Sequence, residues 1–502
     1  GFLGWTGRPL NAMAALYPVL MIIVGTSDVV HILTKFQAEL RKGKDKWDAW
    51  IVTVRQIGLA TLLTSLTTAV GFASLFTSRI GPIREFVLNA AIGVGIAYLT
   101  VIFFTGAALL SFEPGQLMSQ RVKKLSWEGL MAKVNGWTKN YPRGILIFSV
   151  LFLVWCFWGI SMITTNYRIE DQMPKGQQIT KDFIYFEKEF AGFRPYELAV
   201  ETGPGHKVND FEILQAMNKV EKYLEKEPLI KSIQSYSDVY RSIHRMENGN
   251  RADAYVFPED SLTFSRYQRY LRLMPKEALA VLVSRDGTKA RISGRVADAG
   301  AEEINEMSDS LFTYIHANVD TSKVKFRLTG TGVIVDKNAQ YVRESLIWGL
   351  GIALLIVSVL MALLFRQGVL LLIALIPNVL PLIFAGAVLG WLGIELEAGI
   401  SIVFAIVFGI AVDDTIHFLS KYKLIRQEGM SREDAFATTF AETGKAIVLT
   451  SIILFFGFLV LFFSIHPPSV VVGLLISITL VSALLADMFL IPICIRLLIR
   501  EK

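Results

Sequence analysis

Apolar residues gather in nine long runs, at 12–34, 58–78, 82–110, 143–163, 345–365, 368–392, 398–420, 444–464 and 468–497. About 20 consecutive apolar residues cross a bilayer core, so each run predicts a membrane helix. Between the fourth and fifth runs the pattern changes: 165–343 is polar, holds no spanning stretch and predicts a separate aqueous domain. Inside it, short alternating segments exchange with helical spacing. Pro195 to Thr202 reads as a strand, Phe211 to Glu227 as a helix, Ile230 to Val239 as a returning strand and Pro258 to Leu273 as a helical insertion. Ala278 to Ser284 and Lys289 to Val296 predict a hairpin about Arg285-Asp286-Gly287, followed by a helix from Ala301 to Val319 and a last strand from Val324 to Leu328. Such β-α-β modules with an antiparallel partner predict α+β, ferredoxin-like subdomains.

The membrane runs contain an internal repeat. At a constant offset of 386 residues Gly4-Trp5 matches Gly390-Trp391, Asp28 matches Asp414, Lys35 matches Lys421, Thr64-Ser65 matches Thr450-Ser451, Gly71-Phe72 matches Gly457-Phe458 and Pro82 matches Pro468. Two related halves are therefore expected. The helix from 143 to 163 has its own counterpart before residue 1, which predicts that an N-terminal part of roughly 240 to 260 residues is missing, with three helices and a second aqueous domain.

Each half sets an aspartate inside a spanning run. A carboxylate at that depth costs at least about 2.5 kcal/mol, so Asp28 and Asp414 are expected to handle ions or protons. Asp413 adds a second carboxylate in one half, where the other half has Ser27. His31 follows Asp28 by three residues and His417 follows Asp414 by three, which puts each imidazole on its carboxylate's helix face, one turn towards the basic side. Asp28, Asp414, Asp413, His31 and His417 are thus the candidate proton relay. Thr64, Ser65, Thr450 and Ser451 are placed to support the carboxylates from neighbouring helices. The histidines equally suit an interfacial or capping role, and the hydroxyls suit helix packing.

Charge fixes the orientation. Lys35, Arg41, Lys42, Lys44, Lys46 and Arg55 follow the first run, Arg121, Lys123, Lys124, Lys133, Lys139 and Arg143 lie between the third and fourth, and Arg496, Arg500 and Lys502 end the chain. These segments are expected to be cytoplasmic. Arg79, Glu395-Leu396-Glu397 and His466-Pro467-Pro468, with the whole of 165–343, then face the periplasm of a bacterial inner membrane. The net charge of +6 is topological on this reading, and no nucleic-acid partner is expected. Cys156 and Cys494 both lie in apolar runs, the six histidines are scattered and the methionines form no ladder, so neither a disulfide framework nor a metal site is expected. No nucleophile-base set or cofactor fingerprint appears; neither an enzyme nor a cofactor is expected. Residues 116–138 interleave apolar and basic positions as an interfacial helix does.

The motif Gly409-Ile410-Ala411-Val412-Asp413-Asp414-Thr415-Ile416-His417, its degenerate twin around Asp28, and Phe190-Ala191-Gly192-Phe193-Arg194-Pro195 at the start of the aqueous domain resemble the resistance-nodulation-division (RND) superfamily, in its MMPL-type branch. That branch includes hopanoid and mycobacterial lipid exporters and is related to Patched, Dispatched and Niemann-Pick proteins. The resemblance implies a polytopic α-helical membrane protein with an RND-type pseudo-twofold repeat and an extracytoplasmic porter domain. The boundaries are 1–110 for three helices of the first membrane half, 111–142 for a cytoplasmic linker, 143–164 for a helix, 165–343 for the porter domain and 344–502 for five helices of the second half. It implies proton-driven export of a lipid or other hydrophobic molecule, with a periplasmic carrier or a second copy of the chain as partner. Amphiphilic drug efflux and sterol-sensing-type lipid binding are the alternatives. Two departures from the multidrug branch stand out: the insertion leaves little room for a channel-docking domain, and the lysine expected opposite the aspartate pair is missing.

Overall fold

The computed structural model describes residues 2–499 apart from 6, 8–11, 79, 118–126, 164–167, 171–172, 191, 272–273 and 397. Arg79, Arg121, Lys123, Lys124, Ala191, Glu397, Arg500, Lys502 and the middle of the expected 116–138 helix lie outside the described residues. Two compact units emerge, Gly1–Thr164 with Gln340–Lys502, and Thr165–Ala339.

Among the described residues nine helices are long and apolar enough to cross a membrane. The first three are α1 (Leu16–Arg41), α2 (Lys46–Thr77) and α3 (Gly81–Ser111). Pro82 opens α3 within its first turn, where a missing N–H costs nothing. A short helix, α4 (Trp127–Asn140), precedes α5 (Pro142–Ile160), again started by a proline. Several helices outrun the apolar stretches at their basic ends. α2 begins a dozen residues before its apolar run because Asp45 caps it, accepting from the Asp48 N–H at 2.7 Å.

The second unit opens with α6 (Gln178–Glu189) and continues through β1 (Arg194–Thr202), α7 (Phe211–Leu224), β2 (Ile230–Gln234), α8 (Tyr236–Glu247), α9 (Ser261–Leu271), β3 (Lys289–Val296), α10 (Ala301–Asn318) and β4 (Val324–Thr329). The four strands form one antiparallel sheet in the order β2-β3-β1-β4. Tyr196, Leu198, Val200, Ile292 and Val324 turn inward, and share a core with Leu214, Met217 and Val220 of α7 and Leu311 and Ile315 of α10. The other sheet face carries Glu197, Glu201, Lys289, Arg291 and Arg327 in loose ion pairs of 3.5 to 3.6 Å. One apolar and one solvated face is what alternation along antiparallel strands dictates.

Two expectations fail here. Ala278 to Ser284 is not a strand: Lys276–Ala280 is helical behind Pro275, and only Val283 bridges to Ala290. Lysine, glutamate, leucine and alanine are good helix formers, and they decide the local structure. The strand from Ile230 stops at Gln234, because Ser235 and Asp238 make a reciprocal capping box that starts α8.

The last five helices are α11 (Gly330–Phe365), α12 (Gly368–Leu392), α13 (Ala398–Gln427), α14 (Arg432–Phe463) and α15 (Pro467–Leu498). The most apolar stretch of α13 is 100% buried within the protein, against 11% for that of α5. Asp413 and Asp414 on α13 therefore face protein instead of lipid. It packs closely on α2, where a Cβ on Gly409 would meet Thr68 Cα at 3.2 Å, and the Thr68 hydroxyl donates to the Gly409 carbonyl at 3.0 Å. Helices α2 and α14 share their irregularities. Each runs α-helical over Lys46–Thr53 and Arg432–Thr439, widens to a π turn at Val54–Gly58 and Phe440–Gly444, resumes over Leu59–Ala73 and Lys445–Leu459, and tightens to a 3-10 turn at Ser74–Thr77 and Val460–Phe463. Every bound differs by the 386 residues of the sequence repeat.

Candidate functional site

The buried polar residues of the membrane unit concentrate where α1 meets α13. Ser27, Asp28 and His31 on α1 and Asp413, Asp414, Thr415 and His417 on α13 are all buried. The His31 and His417 rings stack with centroids 4.1 Å apart and planes 9° from parallel. Asp413 lies beside them, its Oδ1 3.3 Å from His417 Nε2, while Ser27 Oγ donates to Asp413 Oδ2 at 3.5 Å. Both Ser27–Asp413 and His31–His417 join positions that correspond in the sequence repeat.

Asp28 and Asp414 are held elsewhere, and in matching ways. Ser65 Oγ donates to Asp28 Oδ2 at 3.4 Å and Ser451 Oγ to Asp414 Oδ2 at 3.3 Å, each serine 37 positions beyond its aspartate. The pairing expected from spacing is thus rearranged. The imidazoles do not pair with the aspartate three residues before them; they stack on each other, and His417 reaches Asp413 four residues before it. The histidines, scattered in sequence, are adjacent in space. Thr64 and Thr450 hydroxyls donate to the Thr61 and Ile447 carbonyls of their own helices, at 3.0 and 2.8 Å.

One acid escaped the sequence reading. Asp487 on α15 is buried and accepts from the Thr415 hydroxyl at 2.6 Å, with Asn378 Oδ1 3.4 Å from the same hydroxyl. Its counterpart at the repeat offset is Val101, so a search for repeated carboxylates passes over it. The available signal was simply a carboxylate in an apolar run.

Among the titratable side chains of this cluster, His31 Nε2, Asp413 Oδ1, His417 Nε2 and Asp487 Oδ2 have no hydrogen-bond partner. The 3.3 Å approach of His417 to Asp413 is close but out of hydrogen-bond alignment. His31 and His417 are also the first residues of α1 and α13 to line a cavity of about 710 Å³. Its walls carry Lys35, Arg41, Lys44, Arg55, Lys421, Lys423 and Lys445 against one carboxylate, Glu442, and both π turns contribute to them. A water-accessible space thus reaches the imidazoles from the basic side, and Asp413 lies beside them. Such a chain of titratable groups is chemically able to pass protons. His31, Asp413 and His417 also each offer a ligating atom within 4.8 Å of the other two, a spacing at which the three side chains are able to close on a metal ion.

Two relatives share parts of this sequence. A putative membrane protein of Methanocaldococcus jannaschii is 22% identical over 342 residues, 66% of this chain and 84% of that protein. The apo-petrobactin exporter of Bacillus anthracis is 25% identical over 225 residues, 40% of this chain and 30% of that exporter. The MMPL family matches residues 10–141 and 205–501, which take in α1, α2 and α13, the helices that build the cluster. With eight of the nine candidate spans among the described residues and most of the aqueous unit matched, this multi-pass membrane protein belongs to the MMPL family.

Proposed function

We propose that the chain is part of a proton-motive-force-driven exporter that moves a lipid or similar hydrophobic molecule out of a bacterial inner membrane towards the periplasmic side. The observation that carries this reading is Asp413 buried beside stacked His31 and His417, which reach a cavity that opens among lysines and arginines, with Asp28 and Asp414 buried on the same two helices. Asp28, Asp413 and Asp414 take up protons, His31 and His417 exchange them with cytoplasmic water, and Ser65 and Ser451 hold the two outer carboxylates. A proton crossing 100 mV yields about 2.3 kcal/mol, enough to bias conformations separated by a few kcal/mol. The exporter among the relatives supports transport in this direction, and the 386-residue coincidence of element bounds supports an RND-type pseudo-twofold arrangement. The strand order β2-β3-β1-β4 with its two β-α-β crossings supports a ferredoxin-like porter domain. Protons and membrane lipids are its partners, with a periplasmic carrier or a second copy receiving the cargo.

The test is proteoliposome transport by the full-length protein, with mass spectrometry of co-purifying hydrophobic molecules naming the cargo. Asp28→Asn with Asp414→Asn should abolish proton-dependent release while leaving cargo bound. Unchanged transport in the double variant would remove the relay. Bound lipid with no sustained turnover in the natural protein would favour a lipid sensor, and amphiphile transport without lipid enrichment would favour drug efflux.

A further inference from the structure

We infer that His31, Asp413 and His417 form a binding site for a transition-metal cation of the zinc class, reached from the basic cavity, and that occupancy arrests proton movement. The binding half rests on geometry alone; the arrest rests on the relay reading above. His31, Asp413 and His417 each offer a ligating atom within 4.8 Å of the other two, His31 and His417 are only 2% and 5% exposed, and His31 Nε2, His417 Nε2 and Asp413 Oδ1 make no hydrogen bond, the last two facing each other at 3.3 Å. An unmet buried polar atom costs about 1–3 kcal/mol, so three in one cluster favour a ligand that satisfies them together. The donor set selects the ligand. Calcium and magnesium require oxygen cages, whereas two imidazole nitrogens with one carboxylate oxygen make the three-ligand set of an open zinc site.

Tetrahedral bonds of about 2.0–2.1 Å set donors roughly 3.3 Å apart. The donors are therefore over-spaced by no more than about 1.5 Å, and binding would turn the two imidazoles out of their parallel stack so that their in-plane lone pairs converge. Ser27, donating to the other oxygen of Asp413, fixes the carboxylate as outer partners of metal ligands do. The cavity beside the imidazoles supplies water for the fourth position. Its cationic walls are partly compensated: Lys35 pairs with Glu39 at 2.8 Å and Lys421 with Glu442 at 2.6 Å. A bound dication would fix both imidazoles at once and remove their free nitrogens from proton exchange.

Tag-free full chain in detergent, equilibrated with Zn²⁺ and separately with Co²⁺, tests the site directly. One Zn²⁺ per chain and the visible bands of tetrahedral Co²⁺ are expected. Both should be lost in His31→Ala and in His417→Ala, with affinity falling more than about 100-fold, beyond the 10–100-fold that outer-shell changes cost. His31→Gln, which keeps a polar side chain, replaces any alanine variant that fails to elute as a single species. Absence of binding, or binding unchanged by the histidine variants, overturns the site. Proton flux in proteoliposomes is then measured with and without Zn²⁺. Flux that persists in zinc-loaded protein overturns the arrest, whereas no flux before zinc is added defeats the relay and leaves the site to be judged by binding.

Discussion

Glu221 of α7 gives the aqueous unit a pH dependence whose sign can be worked out. The residue is fully buried, lies 3.2 Å from Arg241 Nη2, and accepts a hydrogen bond from Ser237. Arg241 is shared: it also reaches Glu225 at 2.5 Å, Asn218 at 2.7 Å and Asp238 at 3.6 Å. Burial, with the charge of Asp238 second, outweighs Ser237 and Arg241 and pushes the Glu221 carboxyl up to about 8 from an ordinary 4.5. The folded value lies above the unfolded one, so the stabilisation is complete below about pH 4.5 and disappears as pH rises through about 8. At 1.36 kcal/mol per pH unit the whole span is roughly 5 kcal/mol, an upper limit that local water penetration reduces. Glu221→Gln keeps a neutral acceptor for Ser237 and leaves Arg241 with Glu225. The variant should match the natural protein near pH 5 and exceed it near pH 9. Amide hydrogen exchange over Phe211–Leu224 and Tyr236–Glu247 in the full chain, corrected for intrinsic rates, reads this directly. Protection that rises with pH in the natural protein would mean the Arg241 ion pair dominates, and the reasoning would be wrong.

Gly409→Val places two further methyl groups against Thr68, whose backbone already stands 3.2 Å from a Cβ there. Overpacking of about 1–3 kcal/mol should lower the detergent melting temperature, more than Gly457→Ala does, where the obstacle is the flexible end of Ile23. Ser65→Ala and Ser451→Ala remove hydroxyl donors of matched geometry, each worth about 0.5–1.5 kcal/mol. They should slow transport by similar factors, and a large effect of only one would show that the two carboxylates are not equivalent. Arg496 ties α4 to α15 and α14 through Thr138 at 2.7 Å, Asn135 at 2.8 Å and Glu433 at 3.1 Å. Arg496→Met should destabilise this joint by about 2 kcal/mol or more and expose α4 to proteolysis; unchanged cleavage kinetics would refute it.

Hydrophobic runs alone located the nine candidate spans, since a bilayer demands length and apolarity that little else in the chain supplies. What lay beyond reach was the angle at which α1 crosses α13. Helical spacing tells which residues share a face of one helix, so it linked His31 to Asp28; it is silent about which faces of distant helices meet, and the His31–His417 stack depends on that. Asp487 was hidden for a related reason, its partners Thr415 and Asn378 coming from two other helices. In the aqueous unit the alternation of β1 and β3 was plain, but Ala278 to Ser284 looked like a strand because a short apolar segment has no decisive period.

The π turns of α2 and α14 are the feature with the widest mechanical reach. A π turn stores one residue beyond the α-helical repeat, so its migration along a helix turns the segment it passes by about 100° and advances it by about 1.5 Å while all but one turn stays bonded. The helix then works as a screw with slack in its thread. Both slack turns border the histidine cavity, where Gln56 lies in one and Glu442 in the other. Rotation at those two places alone would exchange the polarity of the cavity wall, and the far ends of both helices would not have to move.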